Sequence, residues 1–68
     1  MITYDAFWKY VRDNNISQYA LYKDYGIDHR LLDKLRNNKP IKTTTIDRIC
    51  ESLNITSNEV ITYKKIER

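Results

Sequence analysis

The chain is poor in the residues that most often carry chemistry or break structure: 68 residues hold one cysteine, one histidine, one glycine and one proline. The lone Cys50 permits no internal disulfide and no thiolate cluster for zinc, so a reducing cytoplasm is the expected compartment. With so little glycine and proline, and with isoleucine, leucine and tyrosine spread throughout, the composition is not that of a disordered or low-complexity segment. No apolar run approaches the roughly 18 residues of a membrane span. The opening MITYDAFWKY places acidic and polar residues where a signal peptide needs an apolar core. Neither a membrane nor secretion is therefore expected. The one histidine and the one cysteine fall on different expected helices with opposite facing, and no paired-carboxylate or phosphate-loop motif occurs. The expectation is no enzyme, no metal, no cofactor and no small-molecule substrate.

What is present is one small domain's worth of apolar residues and an uneven distribution of charge. A domain of this size buries only about 60% of its unfolded-chain surface, so function is expected on the surface and not in an enclosed site. The net charge is a mild +3, yet residues 29–48 contain Arg30, Lys34, Arg36, Lys39, Lys42 and Arg48 against only Asp33 and Asp47. That segment is +4 and the remainder −1. A positive field concentrated on one segment suits a phosphate-facing surface, because each neutralised phosphate releases condensed counterions.

Helical periodicity places a first helix over residues 5–14, with Phe7, Tyr10 and Val11 inward. Ser17 is an N-cap for a second helix from Gln18 to Tyr25, which Gly26 stops as the residue best able to adopt left-handed backbone. Asp28 caps a third, His29–Arg36, with Leu32 and Leu35 inward and His29, Arg30, Asp33 and Lys34 outward. After the turn Asn37-Asn38-Lys39-Pro40, the run Thr43-Thr44-Thr45 offers caps for a fourth helix with Ile46, Ile49, Cys50 and Leu53 inward. Thr56-Ser57-Asn58-Glu59 matches a capping box for a short fifth. The end segments Met1–Tyr4 and Ile61–Tyr63 with Ile66 are rich in β-favouring residues and can pair as two short strands. The expected architecture is all-α: five helices in a single domain over residues 1–68, with a short terminal β pairing.

Residues 18–36 form helix, turn, helix, with Leu21, Ile27, Leu32 and Leu35 as internal anchors. The string SQYALYKDYGIDHRLLDKLRNNK, followed by IDRICESLNITSNEVITY, resembles the Cro/repressor (XRE-like) helix-turn-helix family of phage and bacterial regulators over residues 5–63. The marks are Ser17-Gln18 opening the second helix, Gly26-Ile27 at the turn, Leu32 and Leu35 in the third helix, Asn37 and Lys39 after it, and Ile49-Cys50-Glu51 with Leu53 in the fourth. One position departs. Four residues before Gly26 the family carries a small residue where the helices cross, and here stands Tyr22, so the crossing must widen or the ring must leave it sideways.

The resemblance implies a sequence-specific duplex-DNA binder, a small transcriptional regulator or repressor, with the third helix in the major groove and the second across the backbone. Base reading falls to His29, Arg30, Leu31, Asp33 and Lys34. Arg30 or Lys34 can donate to guanine, Asp33 can accept from cytosine, and Leu31 can touch a thymine methyl. For Asp33, an ion pair with Arg30 or Arg36 is an equal alternative. Phosphate contacts fall to Gln18, Asn37, Lys39, Lys42 and Thr43. A homodimer is expected, since one recognition helix reads only a few base pairs. A reading of another class keeps the fold but uses the outer face of the third helix to bind protein, as an antitoxin-like or antirepressor-like module. A third has the tyrosines stack on single-stranded nucleic acid, although most aromatics fall at core-facing positions.

Overall fold

The computed structural model describes residues 1–65 of the chain. The order of elements is β1 (Ile2–Thr3), α1 (Asp5–Asp13), α2 (Gln18–Lys23), α3 (His29–Arg36), α4 (Thr43–Leu53), a 3₁₀ turn (Ser57–Glu59) and β2 (Thr62–Tyr63). The strands pair antiparallel, Ile2 opposite Tyr63 and Thr3 opposite Thr62, so the two ends of the chain meet as expected. Ile66, expected to extend the second strand, lies outside the described residues.

Among the described residues four α-helices form, not five. The Thr56 side chain makes no capping hydrogen bond, and the segment it heads is a single 3₁₀ turn. The reason is distance along the chain: within a few residues of Thr56 the backbone must bury Val60 completely and then reach β1, which leaves no length for a second helical turn. Two other expectations are corrected. The threonine run does not cap α4, because Thr43 is already its first residue and the cap position is Lys42, with no side-chain bond. α2 ends at Lys23, two residues before the expected Tyr25, and the Ile27 N–H returns to the Leu21 carbonyl at 2.9 Å.

A chain with one glycine must end its other helices by other means, and it uses asparagine. Asn15, Asn38 and Asn54 stand at φ 54°, 54° and 56°, where asparagine is the most tolerant residue after glycine. After each, the next N–H reaches back to close the helix: Ile16 to Val11, Lys39 to Lys34 and Ile55 to Cys50, at 2.8 to 3.0 Å. Gly26, at φ 69°, serves the same purpose after α2. A Cβ there would meet nothing within 4 Å, so it is backbone conformation and not space that requires glycine.

One core joins all four helices and the segments flanking the end strands: Tyr4, Phe7 and Val11 from the N-terminal side, Leu21 and Ile27 around the turn, Leu31, Leu32 and Leu35 of α3, Ile49 and Leu53 of α4, and Val60. Cys50 packs half-buried against it. Burial, with Asp47 close by, pushes the thiol pKa up, so this cysteine stays protonated and weakly nucleophilic at neutral pH.

The join between the chain ends is extended by Met1 and Lys64, whose backbone groups exchange hydrogen bonds, and by a 2.6 Å ion pair from the Lys64 ammonium to Asp5 at the start of α1. The lysine holds the Asp5 carboxyl below the usual aspartate value. A carboxylate with a depressed folded-state pKa stabilises above its unfolded pKa and loses that contribution as pH falls through the folded one. Thermal melts should therefore show wild type above Asp5→Asn at neutral pH, with the gap closing below the ordinary aspartate range. A gap independent of pH would disprove the pair's contribution.

Candidate nucleic-acid interface

The position of α3 is set locally at its start and by distant groups at its end. Asp28 accepts the Leu31 N–H at 2.8 Å as N-cap, just as Ser17 accepts from Ala20 at 3.0 Å on α2. At the other end, the Trp8 indole N–H of α1 donates to the Leu35 carbonyl at 3.3 Å, satisfying one of the last-turn acceptors a helix leaves free. Beyond it the turn is pinned to the N-terminal strand region: the Tyr4 hydroxyl donates to the Lys39 carbonyl at 2.5 Å, and the Tyr4 N–H donates to the Asn38 side chain at 3.3 Å. Trp8→Phe keeps an aromatic ring and removes the indole donor, and should cost about 1 kcal/mol in urea denaturation. An unchanged midpoint would show that the bond contributes nothing.

Arg36 is a hub that the residue pattern alone did not single out. Its guanidinium donates to Asp33 at 3.0 Å and to the Gln18 side-chain carbonyl at 2.8 Å, and it lies 5.7 Å from the Trp8 ring centre. One side chain thereby links α1, α2 and α3. The Asp33 spacing of three residues was the one signal in the sequence, and it identified the ion pair as one of two alternatives.

The expected site residues separate into groups. His29, Arg30, Asp33 and Lys34 are exposed on α3. Leu31 is not: it is 8% exposed and belongs to the core, which corrects its outward placement. It lies one turn before Leu35, on the same inner side, and Pro40 and Ile41 fold back beside it. Arg30 and Lys34 line a groove of about 490 Å³ between α3 and α4, together with Lys42 and Arg48. Four cations against the single acid Asp28 make this the concentrated positive surface that residues 29–48 foreshadowed. Arg48, not expected as a site residue, joins it from the second turn of α4.

A shallow hollow adjoins the groove, lined by Arg30, Asp33, Lys34, Asn37, Lys39 and Pro40. Arg30 and Lys34 thus border both concavities. Asn37 is partly committed, since its side-chain amide donates to the Asp33 carbonyl at 2.8 Å. Gln18 is exposed on the first residue of α2, with its carbonyl taken by Arg36 and its amide N–H groups without a partner among the described residues. Thr43 is exposed but lines a separate hollow with Ile46, Asp47, Cys50, Ser57 and Ile61, so it is not brought to the Arg30 groove.

The misfit at Tyr22 is relieved sideways. Its ring is 50% exposed and lies stacked on His29, with centres 5.1 Å apart and planes 17° from parallel, while Leu21 beside it is fully buried in the core. Among the described residues there is no cluster of three or more metal-ligating side chains, and no helix is long and apolar enough to cross a membrane. A family model for the Cro/C1-type HTH DNA-binding domain matches residues 6–65. Comparisons with curated proteins and with solved structures give no significant match.

Proposed function

The chain belongs to the family of Cro/C1-type helix-turn-helix DNA-binding domains, and from that premise we propose that it is a small sequence-specific regulator of transcription, a non-enzymatic repressor that binds duplex DNA as a homodimer with α3 in the major groove. The observation that carries this reading is the clustering of Arg30, Lys34, Lys42 and Arg48 around one open groove beside the exposed side of α3. Such a surface suits the polyanionic backbone, whereas a protein-docking face would be depleted in charge at its centre.

In this reading Arg30 and Lys34 donate to base edges, with His29 beside them. Asp33, held by Arg36, serves to position and not to read. Lys39, Lys42 and Arg48 meet phosphates, with Asn37 contributing a remaining N–H. Gln18 offers its amide and the exposed start of α2 to the opposite strand. Thr43 contributes through its backbone N–H at the start of α4, a terminus that no side chain caps.

The dimer reading rests on reach and on surface. Two recognition helices about 34 Å apart would supply the affinity and site length that one cannot. Met1, Ile2 and Tyr63 of the paired chain ends are 53%, 53% and 73% exposed, an apolar edge suited to a second copy.

The test is selection of the purified protein against random duplexes at near-physiological salt, followed by sequencing of what is retained. A recovered motif with two-fold symmetry is the expected result. Salt-sensitive binding without a motif, or no binding at all, would overturn sequence-specific regulation.

A further inference from the structure

We infer that Tyr22 is a positioning residue for base recognition: stacked on His29, it holds the imidazole at the N-terminal end of α3 so that the ring edge reads a purine. The inference rests on the DNA-reading proposal and extends it to a side chain on the other helix of the unit.

The geometry sets Tyr22 apart from an ordinary surface residue. An exposed aromatic on α2 has no need to lie nearly parallel to a ring on α3, yet the two planes differ by only 17° at a 5.1 Å separation. Tyr19, three residues earlier on the same helix, is 67% exposed and among the described residues has only the Lys23 ammonium over its ring, at 5.6 Å. The stack therefore does not follow merely from having tyrosines on α2. Leu21 beside it is 0% exposed and belongs to the core, which Tyr22 does not join, so the tyrosine ring is not needed to fill the interior.

His29 is the first residue of α3, on the end that approaches the bases in the proposed docking. A free exposed histidine samples several rotamers, and fixing one of them at contact costs affinity. A ring already held in plane by a neighbour avoids much of that cost, which is the general advantage of preorganisation. In the held orientation an imidazole N–H can donate to guanine N7 or O6, acceptors that the major groove presents. Tyr22 acts through His29, and its own hydroxyl is not required.

The experiment is the same duplex selection, followed by titration of the recovered site and its single-base variants, for wild type, Tyr22→Ala, Tyr22→Phe, His29→Ala and the double alanine variant, with thermal melts of each. Tyr22→Ala should flatten the preference at the one base position that His29→Ala flattens, by about two- to tenfold, the range of an aromatic pair. Other positions should keep their preference and the melting midpoints should stay together. Tyr22→Phe, which keeps the stack, should behave as wild type, and the double variant should be no worse than His29→Ala. The inference is overturned if Tyr22→Ala weakens all sites equally or changes nothing, if Tyr22→Phe is as defective as Tyr22→Ala, or if His29→Ala leaves every position intact. A wild-type protein that recovers no motif overturns the DNA-reading proposal itself, and this inference with it.

Discussion

Arg30→Ala should lose about 1–3 kcal/mol of binding to the preferred duplex and relax the preference at one base position. The side chain is exposed on α3, borders both the basic groove and the hollow beside it, and makes no ion pair or hydrogen bond among the described residues, so truncation disturbs no internal contact. Lys39→Ala is the control with a different signature. Its backbone is fixed by Tyr4 and by the Lys34 carbonyl, so the turn survives loss of the side chain. Binding should then weaken by a similar factor on every sequence, with the slope of log affinity against log salt reduced by about one. Anisotropy titrations at several salt concentrations separate the two behaviours. An Arg30→Ala variant that keeps wild-type preference would remove this residue from base reading.

Phe7→Ala should be the most damaging substitution to the fold, costing about 3–5 kcal/mol. Phe7 is 0% exposed and packs edge-on against Trp8, with ring centres 5.0 Å apart and planes at 82°. Its loss would open a void under α1 and loosen Trp8, whose indole holds the end of α3. Domains are stable by only about 5–15 kcal/mol in total, and small ones lie toward the low end. Helical circular dichroism followed through a urea titration should show the variant partly unfolded at body temperature. A cost under about 1 kcal/mol would mean that the void collapses and that Phe7 does not anchor α1.

For α2 and α3 the capping contacts lie within about four residues, and there the sequence sufficed. Ser17 and Asp28 cap α2 and α3 through N–H groups three residues on, and Leu32 and Leu35 repeat at the helical period, so the helix-turn-helix unit and the outward His29, Arg30, Asp33 and Lys34 of α3 were legible in the sequence. Asn15, Asn38 and Asn54 end their helices through a backbone preference that belongs to the residue itself. The outward placement of Arg30 and Lys34 follows from those local rules, whereas the DNA-binding assignment rests on the family resemblance that the matching family model bears out.

Apart from the pairing of the end strands, which their β-favouring residues foreshadowed, tertiary structure decided the contacts whose partners are remote in the chain. Arg36 finds Gln18 across 18 residues, Trp8 finds Leu35 across 27, and Tyr4 finds Lys39 across 35, none of them marked by a repeating interval. Leu31 is buried once Pro40 and Ile41 return beside it, and the expected fifth helix yields to the demand that Val60 enter the core before β2 meets β1. Arg48 joins Arg30 only when α4 packs across, and Tyr22 meets His29 only when α2 and α3 are set side by side. Local propensity is written in neighbouring residues, whereas these placements are compromises among segments competing for one small interior, and they exist only once that interior has formed.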